Sequence, residues 1–119
     1  MQTAFKLLSL VVLVSSFSAW GMVEVGDTLP NLSWTDSENK VVTLDELKGG
    51  VTVLLYNGGF CAPCNEEFRQ LIPRVKEFDG KPVRFVSLSV AGWSSSSPPN
   101  AKFLNEWKAR HKIPFLVAQ

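Results

Sequence analysis

Residues 51–64 read Val-Thr-Val-Leu-Leu-Tyr-Asn-Gly-Gly-Phe-Cys-Ala-Pro-Cys, so that an apolar run leads into the only two cysteines of the chain. The run Val51–Tyr56 is rich in β-branched residues and predicts a strand covered on both faces. A helix is predicted to follow, because apolar residues recur at helical spacing at Phe68, Leu71, Ile72, Val75 and Phe78. A thiol in the first turn of a helix loses its proton readily, and the thiolate is the reactive form. The pattern predicts a reactive dithiol where a strand meets a helix.

A Cys-x-x-Cys pair also occurs in zinc sites and in structural disulfides. Structural zinc takes four ligands, whereas the single histidine, His111, lies 47 residues beyond Cys64 and no second cysteine pair is present. A disulfide that closes so short a loop adds little stability. Redox exchange is therefore the favoured function, and neither a metal nor a cofactor is expected. His111, at the end of a predicted helix, is expected to face the last carbonyls or solvent.

Three segments around this pair resemble the TlpA/ResA-type thioredoxin-like oxidoreductases. They are Val25-Gly26-Asp27-Thr28-Leu29-Pro30-Asn31-Leu32, Leu44-Asp45-Glu46-Leu47-Lys48-Gly49 and Cys64-Asn65-Glu66-Glu67-Phe68. The resemblance covers about residues 24–118. It implies an α/β, thioredoxin-like fold in which helices flank a central mixed sheet.

The same resemblance implies the chemistry of the site. Cys61, which precedes the helix and should be exposed, attacks a substrate disulfide, and Cys64, which should be covered, resolves the mixed disulfide. These steps reduce or isomerise protein disulfides, and the same steps in reverse oxidise a substrate. Glu67 falls on the family's glutamate, which implies proton transfer with Cys64, although an acid in a first helical turn also simply favours the helix dipole. Phe60, Ala62 and Pro63 are the expected substrate-docking residues. The implied partners are protein thiols or disulfides and an upstream redox partner.

The sequence departs from the family at several positions. Asn57 and Arg69 stand where the family usually has tryptophan and proline. The run Gly58-Gly59-Phe60-Cys61 is closer to peroxiredoxin-like members of the superfamily, so a thiol peroxidase is one alternative. Leu54 and Gly58 occupy the positions of the proline and threonine that shape a peroxiredoxin's peroxide pocket. A catalytically inactive thioredoxin-fold binding module is the other alternative.

The N-terminus predicts export. A basic start is followed by the apolar run Leu7–Val14 and by Ala19-Trp20-Gly21, which fits a signal peptidase site. We expect a signal peptide over residues 1–21, a periplasmic or otherwise exported location, and one thioredoxin-like domain over residues 22–119. Membrane contact is expected only if the signal stays uncleaved. The net charge is +1 with no block of like charge, so nothing indicates a nucleic-acid partner.

Downstream of the cysteines, the pattern predicts a helix over Ala62–Phe78 with a kink at Pro73, then a strand over Val83–Val90. The loop 91–99 is interpreted as a flexible connector or as a rim that contacts substrate. Asn100 is predicted to cap a helix that runs to about His111. Pro114 then belongs either to a cis-proline loop or to an earlier segment of the family pattern. Under both interpretations we expect the C-terminal hairpin and last helix of the fold to be missing.

Overall fold

A computed structural model describes residues 23–119, so the predicted signal peptide lies outside the described residues. The strands are β1 (Ser33–Thr35), β2 (Val41–Thr43), β3 (Val51–Gly58), β4 (Val83–Ala91) and β5 (Leu116–Ala118). The α-helices are α1 (Ala62–Leu71) and α2 (Ala101–His111), and 3₁₀ helices cover Leu44–Leu47 and Ile72–Phe78. No helix within residues 23–119 is long and apolar enough to cross a membrane.

The main sheet has the order β3-β4-β5, and both pairings are parallel. This is the βαβ arrangement that the alternation of strand and helix predicts. Strands β1 and β2 form a separate antiparallel hairpin. Thr35 and Gln119 exchange two backbone hydrogen bonds, of 2.9 and 3.0 Å, which attach this hairpin to the chain beyond β5 in the antiparallel sense. The fold therefore contains both parallel and antiparallel strand pairs, as a mixed arrangement predicts.

The core lies between the sheet and the two α-helices. Phe68 of α1 and Trp107 of α2 are fully buried and meet edge to face, with ring centroids 5.3 Å apart. Sheet residues packed in the same cluster are Leu55, Phe85 and Val117. Burial of the apolar stripe of α1 holds its first turn, and with it the dithiol, against the end of β3.

The type of helix changes next to Pro73. The α-helix ends at Leu71 and continues as a 3₁₀ helix over Ile72–Phe78. Proline has no N–H to donate to the carbonyl of Arg69, so the α-helical ladder breaks at the predicted position. The apolar stripe survives this change, since Ile72, Val75 and Phe78 still pack against the core.

The structure distinguishes between the two interpretations of Pro114. Residues 23–119 contain no cis peptide bond, so Pro114 does not have cis-proline geometry. It leads directly into β5, and β4 separates β5 from the strand that carries the dithiol. Pro114 therefore belongs to the earlier segment of the family pattern.

Candidate functional site: a disulfide at the N-terminus of helix α1

The predicted dithiol lies where β3 passes into α1, and its two cysteines form a disulfide. Cys61 is the N-cap of α1, and its Sγ accepts a hydrogen bond of 3.2 Å from the backbone N–H of Cys64. The amide of Asn65 donates to the Cys61 carbonyl oxygen at 2.8 Å, which holds the cap in place. The sulfur of Cys61 thus faces the unpaired N–H groups of a helix start, where negative charge is favoured.

Burial does not separate the two sulfurs in this oxidised form. Cys61 and Cys64 are both half-buried, and the Sγ of Cys64 lies 3.9 Å from the carbonyl oxygen of Tyr56. The expected contrast between an exposed Cys61 and a covered Cys64 stays a prediction for the reduced protein.

The three predicted docking residues lie on two different sides of α1. Phe60 and Ala62 line a groove of about 730 Å³ that runs between α1 and the end of α2. Pro63 lines a second depression on the other side of α1, together with Cys64 and Glu67. Phe60 is 54% exposed, which suits a residue that contacts a partner.

The two acids of the first turns have different surroundings. Glu66 accepts hydrogen bonds from Arg69 and Gln70, and the Arg69 guanidinium followed by the Gln70 amide lowers the pKa of Glu66 to about 2. Glu67 is exposed, forms no ion pair within residues 23–119, and shares its depression with Cys64. Of the two, Glu67 is the carboxylate that lines the depression with Cys64 and has no ion-pair partner in residues 23–119.

The loop after β4 is hydrogen-bonded to the dithiol turn and packs against it. Gly59 donates its N–H to the carbonyl of Gly92 at 2.8 Å, and Trp93 packs edge to face on Phe103 of α2, with ring centroids 4.9 Å apart. A Cβ at Gly59 would clash with the Trp93 ring, so glycine permits this close packing. The start of the loop therefore packs beside the dithiol turn, and its contact with a substrate stays a prediction.

His111 differs from its expected role at a solvent-facing helix end. Its ring packs on Trp107, with centroids 4.1 Å apart, and on Phe68 at 5.5 Å. Its Nε2 atom is buried and has no hydrogen-bond partner in the described part of the chain. Burial, with a smaller contribution from the charge of Arg110, lowers the pKa of His111. The residue is half-buried instead of fully solvent-facing, because Phe68 of α1 packs against its ring at the last turn of α2.

A buried polar cluster lies beneath the dithiol turn and was not predicted from the sequence. Asn57 donates to the hydroxyl of Ser87 at 2.7 Å and accepts from the hydroxyl of Ser89 at 2.8 Å. Trp107 donates its indole N–H to Ser87 at 3.2 Å. The available signal was an asparagine that ends an apolar strand, opposite serines spaced two apart on the next predicted strand, which places both serines on one face.

Comparison with known proteins agrees with this arrangement. The family model described as "AhpC/TSA family" matches residues 25–119. The chain belongs to the AhpC/TSA family. The matched segment includes both cysteines, all five strands and both α-helices.

Curated proteins with sequences similar to this AhpC/TSA chain are named thiol-disulfide oxidoreductase ResA. The protein from Bacillus subtilis is 30% identical over 74 residues, which cover 62% of this chain and 41% of that protein. The one from Bacillus cereus is 35% identical over 75 residues, with coverage of 60% and 42%. The predicted resemblance to ResA-type proteins is confirmed, and the matched region spans about two-fifths of the length of these relatives.

Solved structures confirm the thioredoxin fold. One is the thioredoxin domain of a thiol-disulfide oxidoreductase from Bacteroides vulgatus, at 15% identity and a TM-score of 0.66, which covers 82% of this chain and 64% of that one. Another is a putative thiol:disulfide interchange protein DsbE from Chlorobium tepidum, at 20% identity and the same TM-score, with coverage of 82% and 63%.

Proposed function

We propose that this protein is an exported thiol–disulfide oxidoreductase that acts on protein disulfides through Cys61 and Cys64. The observation that carries the proposal is the Cys61–Cys64 disulfide at the N-terminus of α1, with the Cys64 N–H directed at the Cys61 sulfur. The names of the ResA relatives support the same chemistry. Thiol peroxidase activity is the weaker candidate, because Leu54 and Gly58 offer no counterpart to the peroxiredoxin proline and threonine.

The exchange proceeds in two displacement steps. In the reduced protein the thiolate of Cys61 attacks one sulfur of the substrate disulfide, and the other substrate sulfur leaves as a thiolate. Cys64 then loses its proton and attacks the Cys61 sulfur, which releases the second substrate thiolate and forms the Cys61–Cys64 disulfide. The substrate gains two electrons and the protein loses two. The Cys64 N–H and the helix dipole stabilise the attacking thiolate of Cys61.

Glu67 is proposed to receive the proton that Cys64 loses. It lines the same depression as Cys64 and has no ion-pair partner in the described residues. Its neighbour Glu66 is held by Arg69 and Gln70, which leaves that carboxylate unsuited to accept a proton. An upstream protein that returns two electrons to the disulfide completes the cycle.

Export is proposed from the N-terminal pattern, with a signal peptide over residues 1–21 that is cleaved after Gly21. An exported location suits a disulfide that must persist between turnovers. N-terminal sequencing of the protein from an exporting host should give Met22 as the first residue. Recovery of intact Met1 in a cytosolic fraction would refute export.

A pair of assays on the full chain tests the proposed activity. We expect catalysed reduction of insulin by dithiothreitol, and no comparable consumption of hydrogen peroxide. Cys64→Ser should accumulate mixed disulfides with partner proteins, whereas Cys61→Ser should form none and lose turnover to the uncatalysed level. Rapid peroxide consumption without insulin reduction would support a peroxidase, and the absence of both activities would support a binding module. Faster alkylation of Cys64 than of Cys61 would reverse their roles.

A further inference from the structure

The groove between α1 and α2 begins at the residues that flank Cys61. Phe60 and Ala62 line it beside Cys61. Its other apolar lining residues are Phe68, Ile72 and Pro73, and Arg110, His111 and Lys112 line it from the end of α2. Phe60 and Ala62 adjoin the cysteine proposed to attack the substrate, so a chain bonded to that sulfur has a direct route into the groove.

The charges along this groove are mainly positive. Its cationic side chains are Arg69, Arg110 and Lys112, and its single carboxylate is Glu66. Arg69 is neutralised by Glu66, whereas Arg110 and Lys112 form no ion pair within residues 23–119. The guanidinium of Arg110 lies 4.8 Å from the centroid of the Trp93 ring, beside the loop that packs against the dithiol turn. Two cations without an ion-pair partner in the described residues therefore line the α2 side of the groove.

The opposite side of α1 has a different charge. The depression beside Cys64 contains the carboxylates of Glu66 and Glu67 and the guanidinium of Arg74. Arg74 is paired with Glu77, so Glu67 is the charge left unpaired there. A bound polypeptide that crosses the disulfide thus meets cations on the α2 side and a free carboxylate on the other side.

We propose that the groove selects protein substrates in which an apolar residue next to the reacting cysteine is followed by acidic residues. The apolar side chain packs on the apolar lining near Phe60, and the carboxylates lie at Arg110 and Lys112. This proposal rests on the proposed oxidoreductase function and names the substrate class of that same site. Complementary charge at such a surface raises the rate of encounter and sets the orientation of the bound chain.

Three synthetic peptides test the selection. Each has one cysteine held as a mixed disulfide with 2-mercaptoethanol, then leucine, a short spacer, and two aspartates, two glutamines or two lysines. The rate at which the reduced full chain exchanges with each peptide is measured beside its rate with neutral 2-hydroxyethyl disulfide. We expect the aspartate peptide to react about tenfold faster than the lysine peptide at low salt, and this ratio to shrink as salt increases.

Matched variants assign the effect to the groove. Arg110→Gln combined with Lys112→Asn should bring the aspartate-to-lysine ratio close to one, and asparagine suits the left-handed backbone at position 112, where φ is 53°. Lys108→Gln, on the same helix but outside the groove, should keep the ratio of the unmodified protein. Equal rates for the three peptides, or a preference that survives in the double variant, would overturn the proposal. Failure to react with 2-hydroxyethyl disulfide would instead overturn the oxidoreductase function itself, and the substrate selection with it.

Discussion

Among single residues, His111 has surroundings that favour its neutral form. Burial against Trp107 and Phe68 lowers its pKa below the usual value of about 6.5. The unfolded chain therefore binds a proton at a higher pH than the folded protein does. Above about pH 7 this group does not reduce the free energy of unfolding. As the pH falls below the usual pKa of histidine, the free energy of unfolding decreases.

The variant His111→Phe tests this linkage. It should match or exceed the stability of the unmodified protein at pH 7.5, because Nε2 has no partner to lose. The advantage of the variant should grow as the pH falls from about 7 to 5, as measured by urea denaturation at each pH. A stability difference that does not change with pH would contradict the assigned pKa direction.

At the scale of elements, the Asn57 cluster joins β3, β4 and α2 beneath the dithiol turn. It lies at an irregularity of the sheet, where Asn57 pairs with Ser89 but Gly58 pairs with Ala91. Asn57→Ala would leave the buried hydroxyls of Ser87 and Ser89 without their shared partner. We expect it to lower the free energy of unfolding by about 1–3 kcal/mol, measured by urea denaturation of the oxidised protein.

A control for this loss is Asn105→Ala, which removes an exposed asparagine from α2. Its amide bonds only backbone carbonyls at the surface, so the change should be within about 0.5 kcal/mol. If both variants lose equally little, the cluster does not hold the three elements together.

At the scale of the whole molecule, β3 has a hydrogen-bonded neighbour on one side only in the described part of the chain. Tyr56 of β3 is 58% exposed and Val90 of β4 is 63% exposed. An open strand edge beside exposed apolar side chains favours association between copies. We expect the full chain to sediment as larger species as its concentration rises, and Tyr56→Lys to reduce this association.

Val25→Lys is the matched control for the sedimentation measurement, since Val25 is a fully exposed apolar residue remote in sequence from the main sheet. It should leave the concentration dependence of the unmodified protein in place. Sedimentation of the full chain as a monomer at every concentration would show that the edge does not drive association.

Elements that depend on neighbouring residues were predictable from the sequence. The β-branched run of β3, the N-cap by Asn100, whose side chain accepts the N–H of Phe103 at 2.9 Å, and the break at Pro73 all follow from local backbone chemistry. The position of the dithiol at the start of α1 follows in the same way, because the strand and helix that place it are consecutive in the chain.

The surroundings of the dithiol depend on contacts between residues that are distant in the sequence. The Asn57 cluster joins residues about 30 positions apart, and His111 packs against Phe68, 43 positions before it. The division of Phe60 and Pro63 between a cationic groove and an acidic depression likewise depends on how α2 packs beside α1. Hydrophobicity patterns show that a helix face is buried, but they do not show which distant side chains bury it. The cysteine pair and its position at a helix start could be predicted from neighbouring residues, whereas packing between distant elements formed the groove and the depression on either side of α1.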